Sequence, residues 1–235
     1  MDRIVVSRSL NPYVNLAIET VLFKSSPSAR NLLFLYVNKP CVVLGRNQNP
    51  WKEINLPAAF RHNVPVIRRR SGGGTVVHDE GNVNFCVQTS RGDFSRTKHI
   101  EMIVTALRAK GQSLEINERH DIINASNQKV SGSSYKIERE RAYHHATMLL
   151  NADLPRIRAV LHRTSDLGTI SGLGTDSVPS PIANCGISRQ LYMDTWIEAF
   201  QQHYTPVEPE FVDEKTVLEL SSVQEEIAAL KSWHL

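Results

Sequence analysis

The chain has 235 residues, of which 41% are hydrophobic and 22% charged, and its formal net charge is +3. That length and apolar content suit one sizeable core and exclude a disordered or low-complexity chain. The charge is too small to mark a nucleic-acid surface, and no apolar run approaches the ~18 residues of a membrane span.

In chain order, Ile4-Val5-Val6 reads as a short strand, after a start that alternates charged and apolar residues and lacks a secretory h-region. Asn11 reads as an N-cap with Pro12 at the first helical position, and Val14, Ile18, Val21 and Leu22 share one face of the helix that follows. Leu32 to Val37 and Cys41 to Leu44 form a strand-turn-strand pattern around Asn38-Lys39-Pro40. Val64 to Ile67, Thr75 to Val77 and Val83 to Val87 are further short strands. Thr97 to Lys110 is a helix with Ile100, Ile103, Val104 and Leu107 on one face, stopped by Gly111. Strands follow at Leu114 to Asn117, Asp121 to Asn124 and Val130 to Ile137, the last paired with Tyr143 to Leu150. Thr164 to Cys185, rich in Gly, Ser, Thr and Pro, reads as a long mobile loop. Ser188 caps a helix carrying Met193, Trp196, Ile197 and Phe200, and a final helix runs from Glu214 to Lys231 with Leu220, Val223, Ile227 and Leu230 as its apolar stripe. Clustered strands with inserted helices predict an α+β fold with a mixed or mostly antiparallel sheet, as one domain over residues 1–235.

Two segments carry candidate chemistry. In Arg68-Arg69-Arg70-Ser71-Gly72-Gly73-Gly74-Thr75-Val76-Val77-His78-Asp79, three glycines between β-like runs allow positive φ and close ligand approach. Their free N–H groups would form an anion-binding concavity, with the arginines as forked donors to a phosphate. The segment has neither the Gly-Lys-Ser/Thr of a P-loop nor a GxGxxG turn. In Gln128-Lys129-Val130-Ser131-Gly132-Ser133, strand alternation puts Lys129 on one face with Ser131 and Ser133, where an ammonium could neutralise a phosphate. The alternative reading of a lone lysine is a solvated surface residue. The turn Gly45-Arg46-Asn47-Gln48-Asn49-Pro50-Trp51 offers amides to a ligand or serves as a structural turn. Adjacent strand residues His144 and His145 point to opposite faces, and no metal site is expected. The three cysteines, Cys41, Cys86 and Cys185, lack CxxC spacing, as reduced intracellular thiols do. Cys185 is the one candidate thiolate nucleophile.

These segments, in this order, resemble the lipoate–protein ligase and lipoyltransferase family. The resemblance runs through Asn15-Leu16-Ala17-Ile18-Glu19, Gly45 to Glu53, Arg69 to Asn82, Lys129 to Ser133, His144-His145 and Asn151-Ala152-Asp153-Leu154, and spans residues 8 to 233. It implies the biotin/lipoate ligase catalytic-domain fold, a class II synthetase-like mixed sheet with flanking helices. It also implies a two-step reaction in which lipoate and ATP, with Mg2+ carried on the nucleotide, give lipoyl-AMP. A lysine then takes the acyl group, on lipoyl domains of 2-oxoacid dehydrogenase E2 subunits or on the glycine cleavage H protein. By position, Arg69, Gly72, Gly73, Gly74, Thr75, Val76, Val77, His78 and Asp121 would surround ATP and the adenylate, Asp121 on the adenine or metal side. Lys129 would be the catalytic residue at the phosphate–carbonyl junction.

Many relatives continue past the motif matched by Ser232-Trp233 into a second domain, whereas this sequence stops at Leu235. The expectation is a monomer that transfers from lipoyl-AMP, with activation of lipoate itself left open: either a separate accessory or activating subunit supplies the missing part, or the chain is a truncated form. It would work in the mitochondrial matrix of a eukaryote or the cytoplasm of a bacterium. The rivals are an octanoyltransferase using a thioester on Cys185 and a non-catalytic lipoate-binding relative.

Overall fold

The computed structural model describes every residue except 27–29, 163–167, 169 and 233–235, so Trp233 and part of the Thr164–Cys185 segment lie outside the described residues. The apolar runs assemble into a six-stranded mixed sheet. β1 (Arg3–Ser7) pairs in parallel with β2 (Leu32–Tyr36), and β2 pairs antiparallel with β6 (Asn82–Ser90). β6 then pairs with β11 (Arg141–Leu149), and β11 with β10 (Ser133–Ile137), both antiparallel. β12 (Pro209–Val212), which has no apolar alternation, closes the other edge parallel to β1. An edge is where a strand can hold a proline.

β2 is apolar without alternation, Leu-Leu-Phe-Leu-Tyr, because both of its faces are covered. Leu33 and Leu35 pack with Ile100, Ile103 and Leu107 of α4 (Lys98–Ala109) and with Trp196 and Phe200 of α6 (Arg189–His203). On the other face Phe34 and Tyr36 meet Val14, Ile18 and Phe23 of α1 (Pro12–Ser25). Asn11 caps α1 by accepting from the Tyr13 N–H.

Two smaller sheets build the rest. β3 (Cys41–Leu44) lies between β4 (Val66–Arg68), parallel to it, and β5 (Val76–His78), antiparallel. β7 (Leu114–Ile116), β8 (Ile122–Asn124) and β9 (Lys129–Ser131) form an antiparallel set.

Several expectations change. The strand read from Val130 to Ile137 is two strands broken at Gly132, β9 in one sheet and β10 in another. The helix read from Glu214 to Lys231 is α7 (Glu214–Val217) and α8 (Ser221–Ser232). The break lets Val217 join Val5 and Phe34, while Val223 and Leu230 pack against Leu16 and Ala17 of α1, and it leaves Leu220 exposed. Three short helices escaped periodicity: α2 (Pro50–Glu53), α3 (Leu56–Arg61) and α5 (Leu154–Leu161). Each is capped by an Asn or Asp side chain, from Asn49, Asn55 and Asp153, with a proline in its first turn. Among the described residues, no helix is long and apolar enough to cross a membrane.

The packing fixes a pH dependence. Burial pushes the His78 and His99 imidazoles down to about 3 from the usual 6.5 and keeps them neutral. The unfolded chain takes up these protons below pH 6.5 and the folded chain does not. The stabilisation is therefore complete above pH 6.5 and is lost as pH falls toward 3. The urea midpoint should drop between pH 7.5 and pH 5, with about 2 kcal/mol from each imidazole. His99→Phe should shrink that drop, and equal midpoints at the two pH values would contradict neutral burial.

Candidate active site

The three arginines beside the glycines turn into the protein. Arg68 donates to the carbonyls of Gly45, Arg46 and Gln48. Arg69, only 4% exposed, donates to Ser71 Oγ and to the carbonyls of Val43, Gly72 and Gly74. Arg70 pairs with Glu226 of α8 at 2.7 Å. The expectation of arginine forks open to a phosphate is thereby corrected. A tight loop buries carbonyls that need donors, and a guanidinium supplies five. Burial lowers the Arg69 pKa to about 10, so the group stays cationic at neutral pH.

The glycine loop keeps the other half of the expectation. Gly73 sits at φ +81°, and the N–H groups of Gly72, Gly73 and Gly74 donate to nothing among the described residues. Gln48, read from sequence only as part of a turn, ties the loop to its surroundings. Its Oε1 accepts from the Gly45 N–H and from Thr75 Oγ1, and its Nε2 donates to Ser177 Oγ and the Thr175 carbonyl. Residues 175–183 of the segment expected to be a mobile loop are also bound to β9, through Lys129 N–H to Pro181 O and Ala183 N–H to Lys129 O.

Lys129 lies at the start of β9, across the hairpin from Asp121, with Nζ 2.8 Å from Asp121 Oδ1. Its side chain folds back over Gly132, where an added Cβ would meet Lys129 Cε at 2.8 Å. The chain bends there, with the Gly132 N–H on Thr147 Oγ1 and the Thr147 N–H on the Gly132 carbonyl. Lys129, Ser131 and Ser133 therefore do not share one strand face as expected: Ser133 Oγ meets His144 Nε2 in the large sheet. Ser131 Oγ is buried and has no hydrogen-bond partner among the described residues.

An open cleft of about 1230 Å³ lies along these residues. Thr75, Val76, Val77, Lys129, Ser131 and Gly132 line it, as do Thr147, Leu149 and Ile157. The predicted residues Thr75, Val76, Val77 and Lys129 thus come together, with Asp121 attached through its ion pair. Gly72, Gly73 and Gly74 stand beside the cleft rather than in its wall. Arg69 and His78 lie on a small adjoining pocket of about 30 Å³ that shares Val76, Gly132 and Thr147 with the cleft. His78 Nδ1 is 2.9 Å from Asn38 Nδ2, and Asp79 holds a turn by accepting from the Gly81 and Asp153 N–H groups.

Sequence reasoning missed a buried chain behind the glycine loop. Glu19 Oε1 is 3.0 Å from His145 Nδ1, His145 Nε2 is 2.8 Å from Ser71 Oγ, and Ser71 Oγ accepts from Arg69 Nε. Among the described residues no group of three His, Cys, Asp or Glu side chains could hold a metal ion. Cys185 does not line the cleft, its N–H bonds the Leu149 carbonyl, and burial raises its thiol pKa, so the geometry speaks against a thioester there.

The Lipoyl protein ligase A/B catalytic domain family matches residues 11–205. A Schizosaccharomyces pombe protein that carries the provisional name lipoate-protein ligase A is 45% identical over 202 residues, which are 86% of this chain and 55% of the relative. The chain thus spans about half the length of that relative. Among solved structures, P. falciparum LipL1 in complex with lipoate superposes with a TM-score of 0.83 at 23% identity, covering 99% of this chain and 73% of that one. A lipoate-protein ligase A bound with ATP gives 0.77 at 22% identity, covering 97% and 93%. A bipartite lipoate protein ligase from Thermoplasma acidophilum, described with its E2 lipoyl domain, gives 0.78 at 20% identity, covering 97% and 91%. At these identities the structural likenesses establish the shared α+β fold.

The loop geometry separates two glycines. A methyl at Gly45 would lie 2.0 Å from the Gly73 carbonyl oxygen, whereas one at Gly72 would meet nothing within 4 Å. Gly45→Ala should destabilise the chain by about 1–3 kcal/mol. Gly72→Ala should be neutral or slightly stabilising. Urea unfolding of both variants checks this, and equal effects would mean that the two loops do not touch.

Proposed function

We propose that this chain, which belongs to the lipoyl protein ligase A/B catalytic-domain family, transfers a lipoyl group from lipoyl-AMP to a lysine of a partner protein. The observation that carries the reading is the placement of Lys129. Its ammonium sits in the wall of an open cleft, held by Asp121, beside the apolar β5 residues Val76 and Val77. A lysine so placed can neutralise the adenylate phosphate and draw charge from the acyl carbonyl. The neutral amine of the acceptor attacks the carbonyl carbon, the bond to the phosphate oxygen breaks, AMP leaves, and the amine loses a proton.

The acyl tail lies against Val76, Val77 and Leu149, where each buried methylene contributes about 0.8 kcal/mol. The free amides at Gly72, Gly73 and Gly74 bind nucleotide phosphate. The acceptors are lipoyl domains of 2-oxoacid dehydrogenase E2 subunits or the glycine cleavage H protein. This supposes a partner like the E2 lipoyl domain described with the bipartite Thermoplasma ligase. Formation of lipoyl-AMP from lipoate and ATP takes Mg2+ in with the nucleotide phosphates, beside Asp121, and an accessory subunit assists that step.

Transfer to an apo lipoyl domain, read by intact mass, tests the reading. Wild-type protein should modify the domain with synthetic lipoyl-AMP. Adding lipoate and MgATP instead separates a complete ligase from a transferase that needs an activating partner. Lys129→Ala should lower transfer at least a hundredfold without shifting the unfolding midpoint, and Gly132→Ala should impair transfer by displacing the lysine. Cys185→Ala should retain wild-type activity. Transfer by Lys129→Ala at the wild-type rate would remove that residue from the mechanism, and loss in Cys185→Ala would restore the thioester route.

A further inference from the structure

The mouth of the cleft carries a surface that the proposed chemistry leaves unused. α3 and α5 pack side by side, joined by Asn55 N–H to Val160 O, Asn55 Nδ2 to His162 O, and apolar contacts among Ala59, Ile157 and Val160. Their sequences, Leu-Pro-Ala-Ala-Phe-Arg and Leu-Pro-Arg-Ile-Arg-Ala-Val-Leu, contain no carboxylate. Arg61 and Arg158 are exposed and line the cleft, and among the described residues neither guanidinium has a hydrogen bond or ion pair. His62 and His162 line the same stretch. The nearby acids are already engaged: Asp153 by Arg156 and the α5 cap, Glu53 by the Ser177 N–H. Beside Arg61, Phe60 is 87% exposed.

We propose that this α3–α5 face is the docking surface for the acceptor protein and that it recognises acidic side chains around the target lysine. The placement rests on the proposed transfer reaction, because a protein-borne amine must pass the cleft mouth to reach an acyl group beside Lys129. Unpaired arginines rimming a reactive cleft supply long-range attraction and orientation for an acidic partner. The exposed phenyl ring is an anchor suited to a protein surface, and a phosphate would have no use for it. The two arginines stand on α3 and α5, whereas Lys129 stands on β9 and the glycine loop precedes β5, so docking and chemistry can be tested separately.

The test measures binding and chemistry independently. An apo E2 lipoyl domain with acidic residues flanking its lysine is titrated into wild-type protein and into the Arg61→Glu, Arg158→Glu double variant by calorimetry, at low and physiological salt. Both enzymes are also given synthetic lipoyl-AMP with hydroxylamine, a small nucleophile that needs no docking. The wild-type complex should weaken with salt. The double variant, and Phe60→Ser to a lesser degree, should bind at least tenfold more weakly while forming hydroxamate at the wild-type rate. Neutralising the acids of the lipoyl domain should have the same effect. Wild-type protein that does not bind the domain, or a variant that binds it equally well, overturns the docking face. Intact binding with lost hydroxamate formation assigns the arginines to the nucleotide and also overturns it. Weakened variant binding with no hydroxamate from either enzyme supports the face and counts against the transfer chemistry alone.

Discussion

The candidate site depends on a guanidinium that faces away from it. Arg69 gathers the carbonyls of Val43, Gly72 and Gly74 and the Ser71 hydroxyl around one buried cation. A trans peptide points its N–H opposite to its C=O. Holding the Gly72 carbonyl therefore turns the Gly73 N–H to the opposite side, and holding the Gly74 carbonyl turns out the Thr75 N–H, which Ser177 Oγ accepts; among the described residues the N–H groups of Gly72, Gly73 and Gly74 donate to nothing. The cation that seemed suited to bind an anion instead shapes a loop whose amides can. Its placement is backed by the buried Glu19–His145–Ser71 chain, which joins α1 and β11 to the same loop. The carboxylate at one end and the guanidinium at the other lessen the cost of burying either charge.

Lys129 is set by a defect in a strand. Residues 129–137 have the composition of a single strand, but at Gly132 the chain passes from the small β7–β8–β9 sheet to the edge of the large one. A Cβ at Gly132 would meet Lys129 Cε at 2.8 Å, so a larger residue there would displace the tip of the lysine. The hairpin places Asp121 against the ammonium, and Pro181 and Ala183 hold the Lys129 backbone on its other edge. A lysine tethered at its backbone and at its tip loses rotamer freedom on folding, before any ligand binds. The residual mobility that a long side chain would surrender on binding is correspondingly smaller.

What the sequence made legible follows from physical range. Periodicity over ten or more residues identified α4 and α6, and a fully apolar run identified β2. Four- to eight-residue helices do not complete enough turns to show a period, although Asn49-Pro50, Asn55 with Pro57, and Asp153 with Pro155 mark where each begins. The glycine loop was visible as a local motif. The inward turn of its arginines was not, because it depends on which carbonyls the folded loop buries. Lys129 alone reads as a solvated residue. It acquires meaning from a carboxylate eight positions away across a hairpin and from a cleft built by β5 and α5.

The boundary between the cleft and the small pocket adjoining it bears on selectivity. Val76, Gly132 and Thr147 border both spaces. The pocket, at about 30 Å³, has room for little more than one water, and Leu16, Tyr36, Val43 and Ala146 line it together with Arg69, His78 and His145. On the proposed function, an acyl chain lying along Val76 and Val77 meets apolar atoms on the cleft side and a pocket too small to admit it beyond them. Extending past that boundary requires Val76 or Thr147 to shift, which well-packed neighbours resist. On the proposed function, the length of chain accommodated without strain is therefore set by β5 and the Gly132 bend, the same bend that positions Lys129. On that same reading, substitutions at Gly132 that widen the boundary to admit longer acyl groups would also move the Lys129 ammonium, so acyl choice and reactivity would be coupled through one glycine.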